Sequence, residues 1–322
     1  MSAAGRAEAL EARGGTSALS RGLVHLLAAA RRHPALTLSL LFLLVVVLLA
    51  IFAQALPYSA YRQNILHRDE VPSLKHWLGT DELGRDVLAR IAVGARVSLI
   101  VAATATLIAV AIGVMVGTLS AYIGGLADSV LMRFVDSMYA FPDTLFAILM
   151  AALIKGQLST ETTGLLAPFV ELYRLSGGLL GVLLTLGLTG WLTTSRLVRS
   201  QVLSLKSAEY VLACRLAGAS DWFIIRTHLL PNVAPVILLS VTFIVPNAIL
   251  LEAGLSFMGI GVDPPTPSWG TMIASGTQSI QSFPHLLIVP ALAIGLTLLA
   301  LNVIGDAARD LLDPALRGSR RA

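Results

Sequence analysis

Charge is scarce in this chain: 13% of its 322 residues are Asp, Glu, Lys or Arg, against 56% hydrophobic. Soluble globular chains carry about a quarter charged residues, so a mean hydropathy of +0.79 points to a membrane protein. There is one cysteine, Cys214, which excludes an intrachain disulfide. Aromatics make up only 6%, and the apolar mass is Leu, Ala, Val and Ile in long runs. A transmembrane β-barrel would instead alternate polar and apolar residues. Net charge is +4 with no basic run interleaved with aromatics, so nothing suggests a nucleic-acid partner. No G-x-x-x-x-G-K-[ST] phosphate loop occurs, so the chain is not itself an ATPase, and it also lacks H-E-x-x-H and G-x-S-x-G. Its six histidines are scattered, and no metal-ligand or catalytic constellation is visible. No N-x-[ST] acceptor is present.

What is there instead is a series of uncharged runs. A bilayer core of about 30 Å needs roughly 20 helical residues. Stretches 34–56, Val97–Ala127, Leu175–Ser195, Leu229–Leu251 and Leu286–Gly305 carry no charge and each is long enough to cross. A sixth, Phe134–Ile154, holds Asp136, Pro142 and Asp143. Ala53-Gln54-Ala55 resembles a signal cleavage site, but the apolar run exceeds a signal peptide's ~7–15 residues, so the first span is read as retained. With six spans, segments 1–33, 128–136, 196–228 and 306–322 share one side and hold 15 of the 23 Lys and Arg. The other side, 57–96, 155–174 and 263–285, holds 8, so the first side is cytoplasmic and both termini lie inside.

Outside the spans, Leu19, Leu23, Leu26, Leu27 and Ala30 predict a short interfacial helix before span one. In the external loop, Asp81 is the expected cap of an amphipathic helix, with Leu83, Val87, Leu88 and Ile91 set against Arg85, Asp86 and Arg90. Its two readings are a helix lying on the outer interface and a docking surface for an external partner. Three prolines and Trp269 in GVDPPTPSWGTM predict a rigid loop with its indole at the membrane interface, and Glu252 before it is expected to reach water. Arg133 and Asp136 are expected to pair, Asp143 is the better pathway candidate, and Gly113-x-x-x-Gly117 and Gly177-x-x-x-Gly181 are candidate packing faces.

Residues 201–231, QVLSLKSAEYVLACRLAGASDWFIIRTHLLP, carry the most information. Ser207 is the expected cap of a helix from Ala208 to about Ala217, with Glu209 in its first turn and Gly218 ending it in the left-handed conformation. Ser220 caps a second short helix, and Pro231 marks re-entry into the membrane. A simple connection needs only a few residues. An elbow this long, exposed and poor in charge, calls for a protein to cover it. Glu209 and Asp221 both lie in water-accessible positions and make no acid–base pair.

This elbow resembles the coupling motif of ABC importer permeases: E-A-A, three residues, Gly, nine residues, I-x-L-P. Here the register is Leu212-Ala213-Cys214, Gly218 and His228-x-Leu230-Pro231. The motif's Glu is absent, with Glu209 one turn earlier as its possible substitute, and H-x-L-P-N (His228 to Asn232) resembles the peptide permeases. HWLGTDELGRDVLARIAVGARVSL from His76, MRFVDSMYAFP from Met132, EAGLSFMGIGVDPPTPSWG from Glu252 and GDAARDLLDPALR from Gly305 resemble the C-type subunit of dipeptide/oligopeptide ABC permeases, in that family's order.

The resemblance implies an all-α integral membrane protein of six transmembrane helices in the type I ABC importer permease fold. Its parts would be a cytoplasmic tail 1–33, a first span 34–56, an external loop 57–95, a permease core 96–306 with coupling helices 207–227, and a tail 307–322. It implies as partners a homologous second permease subunit, two ATPase subunits or domains that hold ATP and Mg, an external solute-binding protein and the lipid bilayer, with no cofactor on this chain. Glu209, Tyr210, Ala213, Arg215, Gly218, Ala219, Ser220, Asp221 and Pro231 would meet the ATPase, and Asp136, Asp143 and Glu252 are pathway or structural polar groups. Close relatives of peptide permeases import nickel, glutathione or haem. A membrane enzyme, revealed by hydrolysis with the isolated chain, and a non-transporting assembly protein are the readings from other classes.

Overall fold

The computed structural model describes residues 34–160 and 167–312. The interfacial helix expected before residue 34 and the end of the 305–317 motif lie outside the described residues. Among those described there are eleven α-helices and no strand. They are α1 (Pro34–Ile51), α2 (Val87–Ile123), α3 (Gly125–Tyr139), α4 (Asp143–Thr160), α5 (Ala167–Leu175), α6 (Leu179–Lys206), α7 (Glu209–Leu216), α8 (Asp221–Ile224), α9 (Leu230–Phe257), α10 (Trp269–Gln278) and α11 (His285–Leu312).

Four helical rods are long and apolar enough to cross a membrane: α1, α2, the continuous rod Asp221–Phe257, and α11. Two bent pairs raise the number to as many as six if each counts as one span: α3 with α4 at 90°, and α5 with α6 at 109°. Both breaks in the helices have local causes. Pro142 cannot donate to a continuing helix, and Asp143 restarts it as an acid in the first turn of α4. Gly177 and Gly178 take φ of +61° and +82°, so Gly177 turns the chain rather than lining a packing face.

The core is formed by α2, α6 and α9 packed on one another. Glycine permits the closest approach, since a Cβ at Gly113 would stand 2.6 Å from that of Thr194, and one at Gly117 would stand 2.5 Å from the Ser195 carbonyl. The Gly113-x-x-x-Gly117 face therefore packs against α6 within the chain. Basic side chains finish two of the rods. Arg96 donates to the carbonyls of Ala50 and Ile51 at the end of α1 (2.7 and 2.9 Å), and Lys206 to those of Ala121 and Tyr122 at the end of α2 (3.1 and 2.6 Å). Both satisfy carbonyls that a helix end leaves open.

The outer segment differs from its expectation. Asp86, not Asp81, caps the helix, accepting from the Ala89 N–H at 2.8 Å, and the expected separate amphipathic helix is the beginning of α2. Arg85, Asp86 and Arg90 are buried. Asp81 binds the Leu83 and Arg85 N–H groups and the Arg85 guanidinium, while His76 meets Asp86 at 2.8 Å. Charges that read as a solvent face instead hold residues 64–86 together from within. At the rim, the imidazole of His67 holds the Glu70 carboxyl below its ordinary value.

Trp269 is also turned inward. It begins α10 at 1% exposure, and its indole N–H donates to the Ile91 carbonyl at 3.1 Å. Glu252 is fully buried rather than water-facing, because hydroxyl donors surround it: Ser98 of α2 and Ser256 of α9 each bond its carboxylate at 2.8 Å.

Candidate functional site: the elbow 207–231

The elbow begins where α6 ends. Ser207 is not the cap expected of it, since its hydroxyl bonds back to the Ser204 carbonyl at 3.1 Å. Ala208 takes the capping position with an extended backbone and no side-chain bond. Helix α7 follows, and Gly218 ends it at φ +80°. The Ala219 N–H reaches the Cys214 carbonyl and the Gly218 N–H the Arg215 carbonyl, both at 3.0 Å, which is the Schellman arrangement. Ser220 then caps α8, accepting from the Phe223 N–H at 3.3 Å.

The second arm is not a separate helix. From Asp221 it continues through a π-helical turn, Ile225–Leu229, into α9 as one 37-residue rod. Pro231 thus sits inside a continuing helix, in the first turn of α9. The widened turn ahead of it relieves the conflict between a proline ring and a regular preceding turn. At ~1.5 Å per residue the rod is about 55 Å long, well beyond the ~30 Å bilayer core.

The inward face of the elbow is welded to the bundle. Val211, Ile224, Leu229 and Val233 pack with Ala121, Tyr122, Val198 and Val202. Full burial of such aliphatic groups contributes about 1.5–3 kcal/mol each. Tyr122, at the end of α2, is the polar hub. Its hydroxyl donates to Asp221 at 2.5 Å, and the Arg215 guanidinium lies 5.0 Å from its ring centre. Arg199 of α6 makes two 2.6 Å bonds to Asp128 of α3, which also accepts from Ser120. His228 lies between Tyr210 and Phe223, with ring centres 6.0 and 5.7 Å away, and its Nε2 is 3.5 Å from Cys214 Sγ.

The outward face is apolar and uncovered among the described residues. Tyr210, Leu212, Leu216, Trp222 and Phe223 are 41, 46, 90, 67 and 49% exposed. Ala213 and Gly218 are exposed beside them, Ala219 is half-buried, and Glu209 carries no hydrogen bond or ion pair among the described residues. These large apolar side chains all lie on the two short helices α7 and α8.

The structure thus brings the predicted elbow residues Glu209 to Asp221 together, with Pro231 nearly three turns further along the rod. Sequence reasoning missed Tyr122, Lys206 and Arg199, which lie at or near helix ends where a polar side chain flanks an uncharged run. Asp136 and Asp143 are elsewhere. Asp136 pairs with Arg196 of α6 at 2.5 Å rather than with Arg133, the Arg196 guanidinium being held 3.9 Å over the Tyr139 ring. Asp143 lines a cavity between the α3–α4 bend, α6 and α9.

Residues 109–318, which include the whole elbow, match the family described as "Binding-protein-dependent transport system inner membrane component". The oligopeptide transport system permease protein OppC of Bacillus subtilis (strain 168) is 38% identical over 279 residues, 86% of this chain and 85% of that protein. The dipeptide transport system permease protein DppC of the same organism is 41% identical over 86% of this chain and 80% of its own length. The glutathione transport system permease protein GsiD of Escherichia coli O6:K15:H31 (strain 536 / UPEC) is 37% identical over 89% and 88%. This chain belongs to the binding-protein-dependent transport system inner membrane components.

Proposed function

We propose that the chain is the C-type permease subunit of an ATP-driven importer of di- and oligopeptides, with six spans and both termini in the cytoplasm. The two bent helix pairs supply the third and fourth spans in this reading. A homologous permease, two ATPase subunits carrying ATP and Mg, and an external solute-binding protein complete the working unit. The observation that carries the reading is the exposed apolar elbow, built on a rod continuous with α9. ATP-driven closure of the ATPase dimer moves α7 and α8 as one body, because the Tyr122–Asp221 bond and the Val211–Ile224–Leu229 packing leave the elbow little freedom against the bundle. Helices α6 and α9, attached at its two ends, then tilt and switch access from outside to inside. Glu209 stands free to take the place of the Glu that the coupling motif carries three residues later.

A peptide substrate is supported by the identity to oligopeptide and dipeptide permeases, and glutathione is the second reading, from a relative of nearly equal identity. Reconstituting the complex with its binding protein and measuring ATP-dependent uptake of dipeptides, longer peptides and glutathione tests both. Saturable peptide uptake that needs ATP is the expected result. Exclusive uptake of glutathione would replace the peptide assignment, and a complex that binds partners but moves no solute would end the importer reading.

A further inference from the structure

Asp143 presents a problem of placement. It opens α4 immediately after Pro142, at the 90° break between α3 and α4, and it is exposed. No hydrogen bond or ion pair reaches its carboxylate among the described residues. It lines a cavity of about 110 Å³ with Tyr139, Thr189, Thr193, Ser240 and Asn247. Residues 189–193 lie near the middle of α6 (Leu179–Lys206), and 240–247 near the middle of α9 (Leu230–Phe257), so the cavity sits midway along both rods. Tyr139 and Thr193 are joined hydroxyl to hydroxyl at 2.7 Å, while the Asn247 amide, also exposed, has no hydrogen-bond partner among the described residues.

A free carboxylate, a free amide and an interrupted helix do not face hydrocarbon, where each unsatisfied polar group costs several kcal/mol. Interrupted helices at that depth line a water-filled space or are buried against protein. The remaining groups on this wall, apart from the aliphatic side chains and Phe243, are hydroxyls and an amide, and no cation of the described chain reaches Asp143. The wall is suited to a flexible solute that brings its own positive charge and its own amide groups.

We infer that this wall is the chain's share of the translocation pathway, and that the Asp143 carboxylate receives the ammonium group of the passing solute while Thr189 and Asn247 meet its amides. The ligand assignment rests on the peptide reading, whereas the water-filled wall does not.

Two measurements on the assembled transporter test it. In a Cys214→Ala background, Thr189→Cys and Asn247→Cys are treated with a charged, membrane-impermeant thiol reagent, beside Leu238→Cys, an exposed α9 position away from the cavity. Reaction at 189 and 247 but not at 238 is expected. No reaction at 189 and 247 would overturn the pathway, leaving the wall sealed against another subunit. Separately, Asp143→Asn is compared with the parent complex for uptake of a dipeptide with a free amino terminus and its N-acetylated form. The ratio of free to blocked uptake is expected to fall at least about tenfold, the size of one charge-assisted hydrogen bond. An unchanged ratio would overturn the ammonium assignment. So would loss of the second permease from the Asp143→Asn complex, which would mark the carboxylate as an intersubunit partner. A parent complex that moves neither dipeptide, while positions 189 and 247 still react, would remove the peptide reading and keep the wall.

Discussion

Replacing Gly218 by alanine, asparagine and valine in the complete transporter separates two reasons for a glycine at the elbow. One is backbone conformation: φ is +80°, and the left-handed region costs an ordinary side chain about 1–2 kcal/mol. The other is close approach by a partner. Among the described residues a Cβ at 218 would meet nothing within 4 Å, so their packing contributes no penalty. On the conformational account asparagine, which tolerates the left-handed region, is nearly neutral; alanine costs about 1–2 kcal/mol, a roughly 5- to 30-fold loss of the ordered Schellman turn; and valine costs more. The assay is solute taken up per ATP hydrolysed in reconstituted vesicles, with retained ATPase measured alongside. The expected order of coupling is glycine, asparagine, alanine, valine. An order that follows side-chain size, with asparagine as damaging as valine, would refute the backbone argument and make partner contact the reason. Full coupling with valine would refute both.

Three further substitutions probe what holds the elbow and the outer core. Arg199→Lys keeps the charge but loses the paired 2.6 Å bonds to Asp128, and is expected to cost about 1 kcal/mol at this partly exposed site, read as a lower unfolding midpoint in detergent. Glu252→Ala strips the hydroxyls of Ser98 and Ser256 of their buried acceptor, at about 1–3 kcal/mol each; adding Ser98→Ala should recover part of that loss, and strict additivity would argue against their coupling. Trp269→Phe removes only the indole donor to Ile91 and should cost about 1 kcal/mol, whereas Trp269→Ala, which leaves a cavity between α2 and α10, should cost about 3–5.

The long rods were legible because lipid selects uncharged runs of about 20 residues, and α1, α2, α9 and α11 each contain one. The breaks were less so. Pro142 and the Gly177-Gly178 pair are local signals, but a 90° or 109° bend is set by what the two halves pack against. The elbow's turn was legible at Gly218 and Ser220, where one residue decides a backbone state. Its start was not, because Ser207 had a carbonyl at Ser204 to bond instead. The errors at Asp81, Trp269 and Glu252 share one cause. Amphipathic patterning assigns charge to water and an indole to the interface, but specific partners drew these groups inward: the nearby Arg85 and Arg90 for the half-buried Asp81, and the distant Ile91 for Trp269 and Ser98 for Glu252. Tyr122, the residue that ties the elbow to α2, carries no sequence mark beyond its place at a helix end.

Protection of the elbow's apolar face tests the central claim most directly. Leu216, the most exposed apolar residue there at 90%, is replaced by cysteine in a Cys214→Ala background, and its reaction with a soluble thiol reagent is followed in the isolated chain and in the complex. Rapid labelling of the isolated L216C chain and strong protection once the ATPase subunits are bound is the predicted result. Equal labelling in the two states, with the ATPase demonstrably bound, would place the coupling contact elsewhere and contradict the account.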